Sequence, residues 1–208
     1  KKEQDGLKLT TDKDTYYCKK LVVTAGAWAG KLISELKTDL TVTRQTLAWI
    51  KPKNEALFML DKFPCWLVAP EDKGGIYYGF PVLPSKDFPG PVGLKMAHHY
   101  PHNITDPDHV DRNITANDEE EIRRILRAYF TIADSEIVGW RTCLYANTKD
   151  EDFIIDFLPG YNEEVVVACG FSGHGFKFVS VVGEILADLA GEKKTDLPID
   201  FLRLGRLR

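Results

Sequence analysis

The chain has 208 residues and a formal net charge of −4 at pH 7, with acidic and basic residues mixed along its length. That pattern argues against binding to nucleic acid or to an anionic membrane. Hydrophobic residues make up 44% of the sequence, and 11 phenylalanines and 4 tryptophans supply enough apolar volume for a folded core. The sequence contains no apolar run of the roughly 20 residues that a membrane helix needs. We therefore expect a cytoplasmic bacterial protein.

The first part of the chain predicts a β-hairpin and then an α/β unit. Residues 6–11 and 15–18 are strand-like and flank a short polar turn. Residues 21–25 (LVVTA) form a continuous apolar run, which is typical of a strand buried on both faces. Residues 27–36 then show helix-like apolar spacing. Because the sequence opens without methionine and its first forty residues resemble the middle of a domain, we expect a piece of a longer protein.

The middle of the chain alternates between apolar and polar residues, as strands do. Residues 40–50, 65–69, 76–80 and 92–98 predict four strands separated by proline and glycine turns. Residues 136–146 predict a further strand. This part of the sequence therefore indicates an antiparallel sheet.

One helix is predicted before the last of these strands. Asn117 followed by Glu120 resembles a capping box with asparagine as the N-cap. The apolar positions that follow share one helix face; they are Ile122, Ile125, Leu126 and Tyr129.

The last part of the chain returns to α/β character. Residues 165–168 predict a fully apolar strand, and residues 170–175 (GFSGHG) a glycine-rich turn. The helix that follows carries an apolar stripe made of Val179, Val182, Ile185, Leu186 and Leu189. Gly191 is its predicted C-cap. With α/β segments at both ends of an antiparallel middle, we expect two domains, one of them discontinuous and incomplete.

The glycine-rich turn is the strongest local functional signal. Gly170, Gly173 and Gly175 allow backbone N–H groups to approach a ligand, and a helix N-terminus favours negative charge. Lys177 in the first turn of the helix opposes the helix dipole, which a purely structural helix would avoid. From spacing alone, an ordinary strand–helix turn with a solvated lysine remains the alternative.

Residues 170–178 (GFSGHGFKF) resemble the signature of the family that contains monomeric sarcosine oxidase, N-methyltryptophan oxidase and pipecolate oxidase. Further resemblances to this family follow in the correct order along the chain. They are LVVTAGAW at 21–28, GIYYGFP at 75–81, GLK at 93–95, CLY at 143–145 and DEDFIID at 150–156. The family belongs to the FAD enzymes related to D-amino-acid oxidase.

The resemblance implies an α+β fold. A mostly antiparallel substrate-binding domain with a flanking helix would span residues 38–152, and residues 1–37 and 153–208 would form α/β parts of an incomplete FAD-binding domain. The sequence contains no GxGxxG fingerprint for the ADP half of FAD. We therefore expect this chain by itself to hold no FAD. Its apolar strands 21–25 and 165–168 are expected to pair with each other or to be covered by self-association.

The resemblance also assigns cofactor residues. Cys143 matches the cysteine that forms a thioether to the flavin; on residue type alone, a buried core cysteine is the alternative. Gly173, His174, Gly175 and Lys177 match the part of the signature that approaches the flavin. The cysteines show no CxxC spacing, and the sequence predicts no metal site.

The remaining assignments concern oxygen and substrate. Lys95 matches the lysine that helps to activate O₂ beside the flavin; the alternative is a solvent-facing lysine on an edge strand. Lys177 matches the partner of the substrate carboxylate. The residues that match the lining of the substrate cavity are Tyr78, Tyr145 and His99. His98 and His102 match no assigned role, and we expect them to be partly exposed.

These assignments imply a flavin-dependent oxidase. Its substrate would be a secondary amine, sarcosine or another N-methyl or cyclic amino acid, which O₂ converts to an imine with release of hydrogen peroxide. One alternative is an amine or 2-hydroxy acid dehydrogenase that uses another electron acceptor, against which Lys95 argues. The other is that the chain as given is a non-catalytic substrate domain.

Overall fold

The computed structural model describes residues 1–71, 75–84, 86, 88–99 and 103–207. The chain divides into two compact units. Lys1–Val42 and Tyr145–Arg208 form the first, called the terminal unit below, and Thr43–Leu144 form the second, called the middle unit. The sequence places domain boundaries at residues 37/38 and 152/153. The assignment of the two units to flavin and substrate binding stays a prediction.

The described part of the chain contains eleven strands and three α-helices. The strands are β1 (Lys2–Glu3), β2 (Gly6–Thr10), β3 (Thr15–Cys18), β4 (Leu21–Val23), β5 (Thr41–Lys51), β6 (Trp66–Val68), β7 (Ile76–Phe80), β8 (Leu94–His99), β9 (Glu136–Asn147), β10 (Ile154–Phe157) and β11 (Val165–Cys169). The helices are α1 (Ala29–Leu32), α2 (Ala116–Tyr129) and α3 (Val179–Glu192). The expected mixture of helices with mostly antiparallel sheets is confirmed.

The middle unit is built on a five-stranded sheet with the order β6-β7-β8-β5-β9. Strands β6, β7, β8 and β5 pair antiparallel, with Tyr78 opposite Ala97 and Trp49 opposite Lys95. The strands predicted for residues 40–50, 65–69, 76–80, 92–98 and 136–146 are therefore confirmed, within one or two residues at each end.

One face of this sheet packs against α2 and forms a closed core. Ile50, Tyr77 and Met96 from the sheet and Ile122 and Leu126 from the helix belong to one cluster, and each is at most 1% exposed. The predicted helix face is confirmed at Ile122, Ile125 and Leu126. Tyr129 is an exception, because it is 49% exposed in the last turn of α2.

The N-terminus of α2 is capped two residues before the predicted position. The Thr115 hydroxyl accepts a hydrogen bond from the Asp118 backbone N–H, and the Asp118 carboxylate accepts one from the Thr115 backbone N–H. Asn117 is therefore not the N-cap; it lies inside the first turn. The Arg44 guanidinium donates to both carboxylate oxygens of Asp118 at 2.9 Å, which fixes Asp118 as the capping acid.

The terminal unit contains two three-stranded sheets, β1-β2-β3 and β10-β11-β4. The predicted hairpin is β2–β3. In the second sheet β11 pairs parallel to β4 and antiparallel to β10. The expectation that residues 21–25 and 165–168 pair with each other is thus confirmed. Strand β11 is fully buried, and α3 packs on this sheet through Val182, Ile185, Leu186 and Leu189.

Three details of the terminal unit differ from the sequence predictions. Strand β4 is the last in the order of its sheet and ends at Val23, and Val22 is 41% exposed, so the strand is not buried on both faces. Val179, predicted on the apolar stripe of α3, is 65% exposed, because it begins the helix ahead of the packed turns. Helix α3 also includes Gly191 and ends at Glu192, and Lys193 follows as the C-cap in the left-handed conformation at φ 61°.

Residues 27–36 form short turns instead of one helix. Helix α1 has four residues, with 3-10 turns before it at Gly26–Trp28 and after it at Ser34–Leu36. Ile33 interrupts the helical path with an extended backbone at φ −119° and ψ 105°. Ile33 and Leu36 are nevertheless both buried in one core cluster.

No helix among the described residues is both long enough and apolar enough to cross a membrane. In the same part of the chain, His, Cys, Asp and Glu side chains form no group that could hold a metal ion.

Candidate functional site

The predicted site residues of the middle unit lie on the sheet face opposite the core. Side chains alternate between the two faces of a strand. Because Tyr77 and Met96 point into the core under α2, Tyr78, Lys95 and His99 point to the other face, which we call the site face. The Tyr78 ring meets the His99 ring edge-on at 5.8 Å between centroids.

Lys95 occupies the middle of the site face. Its strand, β8, lies between β7 and β5, so the alternative of an edge-strand lysine is wrong. The Lys95 ammonium is half-buried, with Nζ 5.6 Å from the centroid of the Trp49 ring and 5.1 Å from that of the Phe80 ring. Burial lowers the pKa of Lys95 below its ordinary value, and the charge of an ionised Cys143 opposes that shift.

Cys143 lies on β9, next to β5, and is also half-buried. Burial raises the pKa of the Cys143 thiol, while the positive charges of Lys95 and then Arg112 act in the opposite direction. The structure thus brings Cys143 and Lys95 within electrostatic range of each other. Arg112 was missed by the sequence analysis, because a loop arginine far from residue 143 in the sequence gives no local signal.

In the terminal unit, the glycines of the predicted turn make room for protein side chains. Gly173 has φ +77°, and a Cβ atom there would lie 2.2 Å from Cε2 of the Tyr145 ring. Gly170 has φ +65°, and its Cβ would lie 2.5 Å from the Thr148 Cγ2 methyl group. Any residue other than glycine would bring a Cβ atom into these close contacts at a positive φ. Both positions therefore favour glycine. The turn therefore holds the Tyr145 ring in place.

His174 and Lys177 follow on the exposed side of this turn. His174 Nε2 lies 3.1 Å from the Glu151 carbonyl oxygen, and the imidazole packs 4.9 Å from the Phe153 ring. Lys177 lies in a 3-10 turn, Phe176–Phe178, ahead of α3 and not in its first turn as predicted. Its exposed ammonium donates a hydrogen bond to the His174 carbonyl oxygen at 3.2 Å. That bond leaves two of its three N–H groups for other acceptors.

An apolar cavity of about 340 Å³ adjoins Lys177 within the terminal unit. Asp152, His174 and Lys177 lie at its wall, and its apolar lining includes Phe153, Phe178, Ile185, Leu197, Pro198, Ile199, Phe201 and Leu202. The apolar space therefore has both a cation, Lys177, and a carboxylate, Asp152, at its wall.

Each unit therefore groups its own share of the predicted residues. Lys95, Tyr78, His99 and Cys143 belong to the middle unit, and Tyr145, Gly173, His174, Gly175 and Lys177 belong to the terminal unit. Trp49 and Phe80, which flank Lys95, were not predicted as site residues; the cross-strand register is needed to find them. His98, expected to be partly exposed, is half-buried and stacks on Tyr77 at 4.3 Å on the core side. His102 lies outside the described residues.

Comparisons with known proteins identify the family. The model of the DAO family, FAD dependent oxidoreductase, matches residues 1–189. Monomeric sarcosine oxidase from Bacillus sp. (strain NS-129) is 38% identical over 207 residues, covering 98% of this chain and 51% of that protein. N-methyl-L-tryptophan oxidase from Escherichia coli (strain K12) is 34% identical over 208 residues, with 99% and 52% coverage.

A solved structure of NikD, an amino acid oxidase essential for nikkomycin biosynthesis, is similar with a TM-score of 0.75 at 23% identity. The similarity covers 97% of this chain and 52% of that one and shows a common fold. The chain spans about half the length of the curated relatives it matches. From the family match over most of its length, the chain belongs to the DAO family of FAD-dependent oxidoreductases.

Proposed function

We propose that a protein carrying this chain is an FAD-dependent oxidase of secondary amines, with sarcosine or another N-methyl or cyclic amino acid as substrate and O₂ as electron acceptor. The observation that carries this proposal is the site face, where a half-buried ammonium lies between two aromatic rings and beside Cys143. The names of the relatives, oxidases of sarcosine and of N-methyl-L-tryptophan, support the same reaction class.

The residues of the site face fit a flavin. Its aromatic side chains offer flat apolar surfaces to a planar ring, and Lys95 supplies a positive charge. When bound, the flavin accepts electrons from the carbon next to the amine nitrogen and delivers them to O₂. The chain's own part is to hold a fixed cation where negative charge develops on reduced oxygen, which is the role we assign to Lys95.

We assign to Cys143 a thioether bond that tethers the flavin. The thiolate is the reactive form of cysteine, and burial disfavours it. Lys95 and Arg112 counteract that effect of burial on the pKa of Cys143. Acid precipitation of the flavin-loaded protein tests the tether: Cys143→Ser should release the yellow colour into the supernatant. Colour that stays in the washed pellet would place the bond elsewhere.

For the substrate, we assign Lys177 to the carboxylate. Its two uncommitted N–H groups can form charge-assisted hydrogen bonds, which are the stronger kind. Tyr78 and His99 on the site face, and Tyr145 in the terminal unit, are proposed as aromatic contacts of the amine. Gly173, His174 and Gly175 are proposed as flavin contacts.

The middle unit is proposed to bind substrate and the terminal unit to bind part of the FAD. Because the sequence lacks a GxGxxG fingerprint, residues 1–208 alone are proposed to be colourless. Exposed apolar side chains in the terminal unit, Val22, Phe176 and Val179, support self-association of the chain. An absorbance scan tests the first statement and sedimentation velocity the second; stoichiometric flavin or a monomer would contradict them. A cytoplasmic location stays a prediction.

The reaction is tested on the flavin-loaded protein with sarcosine, N-methyl amino acids and cyclic amino acids. An oxidase should release hydrogen peroxide in proportion to the amine consumed. Lys95→Met keeps the length of the side chain but removes its positive charge. It should therefore slow reoxidation of the flavin by O₂, where negative charge develops, far more than reduction of the flavin by substrate. Lys62→Met, at an exposed lysine of the middle unit, is the control. Turnover with a dye as electron acceptor but without release of peroxide would favour the alternative, a dehydrogenase. Equal slowing of both half-reactions in Lys95→Met would indicate that Lys95 has only a structural role.

A further inference from the structure

Three side chains on neighbouring strands meet at one point of the site face. Trp49 on β5 and Phe80 on β7 both lie directly opposite Lys95 on β8 in the strand register. The Lys95 Nζ atom is within 6 Å of both ring centroids, at 5.6 Å and 5.1 Å. A cation at that distance is attracted by the negative face of an aromatic ring. Lys95 thus has an aromatic neighbour on each side across the sheet.

This position is costly for an ammonium group unless something compensates for its burial. Lys95 is half-buried, and burial lowers its pKa. In the part of the chain that the structure describes, no carboxylate contributes to that pKa or pairs with the ammonium. The other titratable or charged side chains near this face include Tyr78 on β7, His99 on β8, Lys51 on β5, Arg141 and Cys143 on β9, and Arg112, whose charge acts on Cys143. None of these is a negative charge at neutral pH by residue type, Cys143 included since burial raises its pKa.

We propose that Trp49 and Phe80 are positioning residues that clamp the Lys95 ammonium between their rings, hold it at the centre of the site face and favour its charged form. The value of the clamp for catalysis rests on the proposed oxidase function, in which a fixed cation faces reduced oxygen. The clamp itself is a property of this chain and is testable without flavin or substrate.

Attraction by the rings raises the pKa of Lys95, whereas burial lowers it. The direction in which the pKa shifts when one ring is altered therefore tests the proposal. If the rings only exclude water, weakening their contact with Lys95 raises its pKa toward the ordinary value. If the rings attract the cation, weakening the attraction without changing shape lowers the pKa further. Pentafluorophenylalanine has nearly the shape of phenylalanine but a reversed charge distribution on the ring face, so it separates the two effects.

The experiment is an NMR titration of the lysine side-chain ¹³Cε signals of the whole chain against pH, with the Lys95 signal assigned by its loss in Lys95→Met. Phe80→pentafluorophenylalanine should lower the pKa of Lys95 by about half a unit to one unit. Trp49→Phe, which keeps an aromatic ring, should shift it less than Trp49→Leu does. The amide spectrum of each variant verifies that the fold is retained.

Phe63→pentafluorophenylalanine is the matched control. Phe63 belongs to the middle unit but packs in the core on Phe58 and Phe130, so its ring should leave the pKa of Lys95 unchanged. An unchanged or raised pKa in the Phe80 variant would overturn the clamp. In the flavin-loaded protein the same Phe80 variant should slow reoxidation by O₂ and spare reduction. A lowered pKa with no oxidase activity in the unsubstituted protein would retain the clamp and reject the proposed function.

Discussion

Helices α2 and α3 are equally long, 14 residues each, but begin in opposite ways. Helix α2 starts at a capping box whose acid, Asp118, also binds Arg44. Helix α3 has no side-chain cap; it follows a glycine-rich turn that leaves Phe176 92% and Val179 65% exposed. The first arrangement satisfies the helix end internally. The second leaves polar and apolar groups available, which is typical of a surface that binds something else.

The largest effect should come from breaking the anchor of α2. Arg44 and Asp118 are 11% and 6% exposed, and removing Arg44 leaves the buried Asp118 carboxylate without its countercharge, with only the hydrogen bonds from Thr115. Arg44→Met should therefore lower the free energy of unfolding by about 3–5 kcal/mol. Denaturant unfolding followed by tryptophan fluorescence measures it, since three of the four tryptophans, Trp49, Trp66 and Trp140, are in the middle unit.

The control for this prediction is Arg127→Met, which removes an exposed pair with Glu120 on the same helix. It should change stability by no more than about 1 kcal/mol.

The stabilising effect of the Arg44–Asp118 pair should depend on pH. Burial alone would raise the pKa of Asp118, but hydrogen bonds from Arg44 and Thr115 leave it below its ordinary value. Its stabilising contribution is therefore complete at neutral pH and is lost as the pH falls through the folded pKa. Equal losses in both arginine variants would contradict the comparison.

At the start of α3, the expected effect concerns binding more than stability. A charge-assisted hydrogen bond is worth about 1.5–3 kcal/mol, or roughly tenfold to a hundredfold in affinity. Lys177→Met should weaken carboxylate-bearing inhibitors of the flavin-loaded protein by that factor, measured as Kd by flavin absorbance. Lys193→Met, at the other end of α3, should leave Kd unchanged. An unaltered Kd in Lys177→Met would remove this lysine from the carboxylate site.

The glycine-rich turn should tolerate no side chain at Gly173. Alanine there would place its Cβ against the Tyr145 ring at a φ that L residues rarely adopt. Gly173→Ala should lower the free energy of unfolding by about 1–3 kcal/mol. Gly183→Ala, inside α3 with open space around it, should instead raise it by about 0.5–1 kcal/mol. Thermal unfolding measures both variants, and an unchanged or raised stability of Gly173→Ala would show that Tyr145 moves aside freely.

The smallest effect separates the observed cap of α2 from the predicted one. Thr115→Ala removes the hydroxyl that accepts from the Asp118 N–H and should cost about 1 kcal/mol. Asn117→Ala, inside the first turn, should cost nothing measurable or stabilise slightly, because alanine is the better helix former. Chemical denaturation measures both variants. A larger loss of unfolding free energy in Asn117→Ala than in Thr115→Ala would indicate that Asn117 is the N-cap.

Periodicity predicted the strands of the middle unit well, because alternation with a buried face is encoded locally. The strand predicted for residues 76–80 has the same first and last residues as β7. The register between strands is not encoded locally, and so nothing near Lys95 in the sequence indicates that Trp49 and Phe80 flank it. The cap of α2 was misplaced because two capping patterns overlap in the sequence, Thr115 with Asp118 and Asn117 with Glu120, and the helix uses the first. The break at Ile33 was missed because residues three apart share a helix face, so burial of Ile33 and Leu36 is equally compatible with an unbroken helix.

The site residues were predicted from a resemblance to a family. Local periodicity alone would not separate Lys95 from any other strand lysine. The structure adds that Lys95 is on a central strand and that Cys143 is in its electrostatic range. The roles of Lys177 and Tyr145 stay predictions, since a position in a turn does not define a ligand.

Strand β8 carries two alternating sets of residues with incompatible requirements. Leu94 and Met96 are fully buried toward α2, whereas Lys95 and His99 lie on the site face. A shift of one residue in pairing exchanges the two sets and forces an ammonium into the core. Over evolutionary time, homologues should therefore accept substitutions along β8 but reject insertions or deletions of a single residue within it. Length changes in this region should accumulate in the loops on either side of the strand.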